Sequence, residues 1–264
     1  MPKKTYIIAA FLFSLSLSAQ NAQQLIDNLK ADLKNNPDSK KTATIYSDLT
    51  WYYSKVSIDS ALVYGKKALE SSKKLGDSTL LSQVYSDIGT VYFTKGDFQS
   101  SKDNFLKSYK IRIARNDAKG VAKINNNLAN VYERTFQYKK AMSSFLESLY
   151  YFESTNDFKN INVTKGNIGL VLLKLKNYPK ALKYLNEEIK YEEENNLPEG
   201  LCVSCLNIGN VYLKLKDTVN ALKFYDKSLK ACTQIGNNKG ISVAYSNIGS
   251  VKSEQKNSKE ALAL

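Results

Sequence analysis

One residue pattern returns every 40 positions along this 264-residue chain, and that period limits the fold more than any other feature of the sequence. An apolar residue followed by a small one recurs as Ile88-Gly89, Leu128-Ala129, Ile168-Gly169, Ile208-Gly209 and Ile248-Gly249. Three residues further on come Tyr92, Tyr132, Leu172 and Tyr212, with Lys252 as the departure. Twelve residues beyond the small one stand Ser101, Ala141, Ala181, Ala221 and Ala261, and sixteen beyond it Phe105, Phe145, Leu185 and Tyr225. An earlier, divergent copy is phased by Ala61 and Ala68, with Tyr52 at the aromatic place and Leu49 where the glycine would sit.

The punctuation keeps the same period. Gly76, Asn116, Asn156, Asn196 and Gly236 are residue types that accept the left-handed conformation closing a helix. Asp97, Asn177, Asp217 and Asn257 are helix N-cap types, and Gln137 is the weak member of that series. Each unit therefore reads as helix A, a short turn, helix B and a second turn. Only 12 glycines and 4 prolines are present and no stretch alternates in the manner of a strand, so the expected class is all-α. A lone helix pair cannot bury its apolar stripe, whereas stacking makes each pair its neighbour's lid. A glycine inside a helix costs about 1 kcal/mol against alanine, so Gly89, Gly169, Gly209 and Gly249 imply close helix approach.

These residues resemble the tetratricopeptide repeat family, whose pattern is W-x2-L-G-x2-Y followed by A-x3-F, and the match runs from about Ile45 to the C-terminus. The unit is longer than the usual form of about 34 residues. The proline that ends helix B is replaced by Ile113, Glu153, Glu193 and Thr233. In this the chain is similar to the longer-helix branch found in polarity scaffolds and bacterial peptide-sensing regulators. The resemblance implies a right-handed superhelical solenoid of about five full antiparallel helix pairs and a truncated one, with Gly89, Tyr92, Ala141, Gly169, Ala181, Gly209, Tyr212, Ala221 and Gly249 as structural positions. It also implies that helices A line a concave wall that meets extended peptides.

With the small residue as position 8 of helix A, positions 2, 6, 9 and 13 share a face distinct from the packed stripe. An Asn or Asp stands at position 6 in five consecutive units, as Asp87, Asn127, Asn167, Asn207 and Asn247. Lys123, Asn130, Arg134, Lys174, Asn210 and Lys214 fall on the same face and complete the candidate ligand-binding set. A carboxamide has two donors and an acceptor, so it can hold a peptide backbone whatever its side chains. It can equally tie neighbouring helices into register, and both readings are open. The carboxylate clamp of some relatives needs Lys at position 5 of its first helix, and Ser86, Asn126, Gly166, Leu206 and Ser246 stand there. That activity is not supported.

Other chemistry is sparse. With no histidine, Ser-His-Asp and Cys-His catalysis are excluded for this chain, as are His-ligated metal sites. Cys202 and Cys205 form a C-x-x-C with Cys232 in the next helix B; no sheet is expected beside them, so buried thiols or a Cys202–Cys232 disulfide compete with a redox site. Glu192 to Glu194 read as a solvated helix end, and Trp51 as packing. The net charge of +13 rests on dispersed lysines with only Arg112, Arg115 and Arg134 as arginines, which argues against nucleic-acid binding. No catalytic residue, cofactor or metal is expected.

Lys3 and Lys4 precede an apolar run from Tyr6 to Leu17 that ends at Ser18 and Ala19. That is the build of a secretory signal peptide cleaved near Ala19, too short to span a bilayer. The expected organisation is a signal peptide over 1–19, an N-terminal capping helix over 20–39 and a repeat domain over 40–264. After Asn257 the final helix B has too few residues to stand alone, so the natural product is expected to continue past Leu264. The functional expectation is an exported, non-catalytic protein- or peptide-binding scaffold of the envelope, with the sensor part of a signalling receptor as its sharper form. A stand-alone envelope assembly factor and an exported thiol redox protein are the alternatives.

Overall fold

The computed structural model describes residues 22–35 and 38–262, with side chains through residue 255. The expected leader lies outside these residues. Every regular element described is a helix: α1 over 22–34, α2 Ser39–Tyr53, α3 Ile58–Lys74, α4 Ser78–Lys95, α5 Phe98–Ala114, α6 Ala118–Arg134, α7 Tyr138–Ser154, α8 Phe158–Lys174, α9 Tyr178–Glu194, α10 Pro198–Lys214, α11 Thr218–Gln234 and α12 Asn238–Leu262. They divide into two compact units at the Asp157–Phe158 junction. In the first, α2–α3, α4–α5 and α6–α7 are packed pairs, and the A helices α2, α4 and α6 lie side by side. In the second, α8–α9 and α10–α11 pair, α12 packs on α11, and α8, α10 and α12 are neighbours. The class is all-α as expected, with three stacked pairs in the first unit and two pairs with a single last helix in the second.

The caps explain the helix ends. Asp38, Asp77, Asp97, Asp117, Asn177 and Asp217 each accept a backbone N–H of the first turn, whereas Gln137 makes no such bond. Gly76, Asn116, Asn156, Asn196 and Gly236 all have φ between 51 and 65°, as their residue types led us to expect. The turn from A to B also passes through the left-handed region, at positions whose residue types do not announce it. Gly96 fits, but Phe136, Lys176 and Lys216 adopt φ of 59 to 61° with side chains that usually avoid it.

The recurring glycines sit under the large residue sixteen positions later. A Cβ on Gly89 would lie 2.7 Å from the Phe105 ring and one on Gly169 2.7 Å from Leu185 Cγ, and one on Gly209 would run into the Tyr225 ring. Each glycine is thus a slot for the helix-B side chain of its own pair. Ser101 replaces the usual alanine because its Oγ donates to the Gly89 carbonyl at 2.8 Å. Ala141, Ala181 and Ala221 are fully buried, while Tyr92 and Tyr212 are half-buried at the edges of the core clusters around Ile88 and Ile248. At the N-terminal end Ile26 of α1 is fully buried against Ile45, Leu49 and Tyr53.

Two expectations fail in α12. Asn257 does not cap a new helix; it lies inside a single helix of 25 residues. The stretch from Lys252 to Ala261 holds no glycine or proline to break it. Among the described residues nothing lies within 4 Å of a Cβ added to Gly249, so none of them uses it as a packing slot.

Glu192, expected in solvent, is buried, and its carboxylate accepts the Ser204 hydroxyl at 2.5 Å. It fills the space a Cβ on Gly200 would need, as Glu188 does at Gly166. Glu188 Oε2 is buried without a partner, and burial, reinforced by the Glu192 charge, pushes its carboxyl up to about 8.

Two measurements follow from this packing. Gly209→Ala should lower stability in urea unfolding by roughly 1–3 kcal/mol through overpacking against Tyr225. Gly249→Ala should leave it unchanged or raise it by up to about 1 kcal/mol through helix propensity. Because the folded chain holds the Glu188 proton more tightly than the unfolded chain, its contribution is full below the ordinary value of 4.5 and is lost as pH rises through about 8. Glu188→Gln should therefore match the parent at pH 4 and become progressively the more stable of the two up to pH 9; parallel curves across that range would refute the assignment.

Candidate functional site

The A-helix face of the first unit holds a cavity of about 460 Å³. Its walls come from α2 (Ser47, Asp48, Trp51), α4 (Gln83, Ser86, Asp87, Thr90) and α6 (Asn127). These helices turn equivalent positions to the same side because they are copies 40 residues apart. Asp87 forms the floor and is 5% exposed. One carboxylate oxygen accepts Ser47 Oγ–H at 2.8 Å and the other accepts Gln83 Nε2–H at 2.8 Å. Ser47 and Asp87 occupy position 6 of adjacent A helices, so this rung is literally a register bond. Burial pushes the Asp87 carboxyl up to about 7 against the pull of those two hydrogen bonds; the Asp48 charge adds to the rise and Arg112 opposes it. Arg112 is not in direct contact with the carboxylate. Its Nη2 donates to Gln83 Oε1 at 3.0 Å, and its Nη1 pairs with Asp117 at 2.7 Å.

Trp51 corrects the sequence reading. It is 42% exposed and lines the cavity, with the Lys55 ammonium 5.0 Å from its ring centre. The buried stripe of α2 is carried by Ile45, Leu49 and Tyr53, spaced four apart, and Trp51 projects away from it. That spacing was the available signal. Ser47, Asp48 and Ser86 were also missed, since each is a small or charged residue whose place depends on the neighbouring helix.

Of the expected ligand-binding residues, the cavity brings together Asp87 and Asn127. Lys123 and Arg134 are exposed and Asn130 is half-buried, all on α6 beyond the cavity lining. The Arg134 guanidinium stacks at 5.8 Å on the Phe98 ring. In the second unit Asn167, Asn207 and Asn247 are half-buried at position 6 of α8, α10 and α12, while Lys174 and Lys214 are exposed. Asn210 accepts the Tyr225 hydroxyl at 2.8 Å, so this carboxamide ties its own helix pair together. Beside the asparagine row Val163, Val203 and Val243 are all exposed, 40 residues apart.

A second cavity of about 400 Å³ lies among α5, α6 and α7. Its polar groups are paired with one another, Arg112 with Asp117 and Asn125 Nδ2 with Glu147 at 3.1 Å. The C-x-x-C is not a dithiol. Cys202 is bonded to Cys232, and Cys205 is buried with its thiol pushed up to about 12 by desolvation. Among the described residues no group of His, Cys, Asp and Glu could hold a metal ion, and no helix is long and apolar enough to cross a membrane.

Three family models match the sequence. Residues 201–264 and 122–155 each match a tetratricopeptide repeat model, and residues 17–119 match the SusR N-terminal TPR domain. No curated protein matches it. Among solved structures, NprR in complex with its cognate peptide NprX is 18% identical, with 98% of this chain and 76% of that one covered at a TM-score of 0.64. BtubC from P. vanneervenii is also 18% identical, with 82% and 90% covered and a TM-score of 0.64. Aspartyl phosphate phosphatase F from Bacillus subtilis is 15% identical, with 94% and 73% covered and a TM-score of 0.62. At these identities the likeness is one of fold.

Proposed function

The chain belongs to the tetratricopeptide repeat family, and on that premise we propose that it is a non-catalytic scaffold that binds a protein or an extended peptide along its A helices. The observation that carries this reading is the cavity among α2, α4 and α6, where the face free of packing duties is concave and lined by hydrogen-bonding groups. The solved complex of NprR with its peptide supports the ligand class. The non-catalytic reading is supported by the absence of histidine and by a free thiol too buried and too weakly acidic to act as a nucleophile. The name of the phosphatase among the similar structures describes that protein, and the fold alone does not carry an activity across.

The proposal extends to an exported protein serving as the sensor part of a longer receptor. The Cys202–Cys232 pairing suits an oxidising compartment, and the basic-then-apolar segment from Lys3 to Ala19 suits a leader. The match to a repeat domain that is N-terminal in SusR supports a sensor followed by an output domain.

The groove is tested by selecting binders from a random peptide display library on the immobilised protein. Asn127, Asn167 and Asn207 changed together to Ala should weaken capture at least tenfold with helicity intact, since each lost hydrogen bond is worth about 0.5–1.5 kcal/mol. Undiminished capture would remove the groove from the proposal. Export is tested on protein purified from its native host. A mature N-terminus near Gln20 and a single thiol, titratable only after denaturation, are expected; three titratable thiols on an uncleaved chain would end the idea.

A further inference from the structure

We infer that the cavity among α2, α4 and α6 receives a cationic side chain of the bound peptide, the guanidinium of an arginine. The inference rests on the peptide-binding reading above and adds to it the chemistry of one recognised residue.

The first argument is the local sign of charge. The whole chain carries +13, yet the cavity lining contains two carboxylates, Asp48 and Asp87, and no lysine or arginine. An anionic concavity on a basic molecule draws cations and, at short range, rejects the acidic segments that the rest of the surface would attract.

The second is the state of Asp87. Its carboxylate is almost entirely out of water and accepts one hydrogen bond on each oxygen, from Ser47 and from Gln83. A carboxylate has about four acceptor positions, so two hydrogen bonds do not exhaust it. Arg112, whose charge reaches Asp87, is bonded instead to Gln83 and Asp117. An entering cation would supply the counter-charge that burial makes costly to lack.

The third is Trp51. It is 42% exposed at the edge of the cavity, and the Lys55 ammonium already rests 5.0 Å from its ring centre. The indole therefore holds a cation in the unliganded chain, supplied by its own helix neighbourhood, as the ring quadrupole favours. Two carboxylates beside an indole face suit a guanidinium, which can stack on the ring and donate to both acids.

Trp51 is the chain's only tryptophan, so its emission reports on this cavity. Titrating the full chain with N-acetyl-L-argininamide should give a saturable change in emission. N-acetyl-L-glutaminamide and glucose, matched in size but uncharged, should give none. Asp48→Asn should weaken the arginine response at least fivefold; this carboxylate is exposed, so the variant keeps its fold. Asp87→Asn should do the same with its circular dichroism unchanged. The groups facing Asp87 are Ser47 and Asp48 from α2, Gln83 from its own helix and Arg112 from α5. With these in place, the parent should bind several-fold more tightly at pH 8 than at pH 6, because a cation favours the ionised acid.

An equal response to the neutral amide overturns the inference. A response to glucose would assign the indole and polar side chains to a sugar, and an unaltered Asp48→Asn titration would remove the charge pairing. Peptides captured in an asparagine-dependent way with no arginine response would sink the cation assignment alone. Failure to capture any peptide would remove the groove reading beneath it.

Discussion

The contact of a large helix-B side chain with a missing Cβ in helix A sets the geometry of three of the five pairs. Phe105 over Gly89, Leu185 over Gly169 and Tyr225 over Gly209 are one contact made three times. Each glycine costs about 1 kcal/mol in helix propensity, while full burial of the residue above it contributes roughly 1.5–3 kcal/mol. The balance favours close approach, and close approach fixes which way helix A faces. Because the stripe at positions 8 and 11 is spent on that contact, positions 6 and 9 are left on the opposite side, and in the first unit they line the cavity.

A second contact recurs between successive pairs within each unit and shows how little its chemistry matters. Arg112 stands where a Cβ on Gly120 would lie, Glu192 where one on Gly200 would lie, and the Cys202–Cys232 disulfide where one on Gly240 would lie. A cation, an acid and a disulfide fill equivalent places 40 or 80 residues apart. Each brings its own partner, respectively Asp117, Ser204 and Cys202. Deeper in the pairs, Ser108, Ser148 and Ser228 donate to the carbonyls of Ser82, Ala122 and Cys202 across 26 residues. Glu188 occupies the place of that serine in the α9 copy. Where three other units spend a hydroxyl on a carbonyl, this one buries an acid, and the neighbouring Gly166 makes room for it.

The fold was legible because its signals are local and repeated. Caps, left-handed stops and the small residue at position 8 each depend on a few adjacent residues, and five copies remove the ambiguity of any one. What was not legible depends on partners distant in sequence. Glu192 looked solvated because it begins a run of acids, yet it shares its phase with buried Phe152 and Cys232, and phase decides burial. Trp51 looked packed because aromatics in this chain usually are, yet it lies off the Ile45–Leu49–Tyr53 stripe. Asn210 looked like a ligand group, and Tyr225, 15 residues away, engages it. The site was thus half visible: position 6 could be found by counting, but its neighbours across the face could not.

The two units carry the same backbone device with different faces. At positions 2 and 6 the second unit sets exposed Val163, Val203 and Val243 beside Asn167, Asn207 and Asn247, a neutral and nearly invariant pattern. The first sets Gln83 and Lys123 beside Ser47, Asp87 and Asn127, a varied pattern with a buried acid. The glycine slot itself does not require this difference, since Phe105 fills it at Gly89 in the first unit as Leu185 and Tyr225 fill it in the second. A row of identical carboxamides grips a backbone without regard to sequence, whereas a single desolvated carboxylate beside an indole discriminates by charge. Taken each by itself, the uniform row suits extended segments of many sequences, and the acidic cavity suits one kind of side chain.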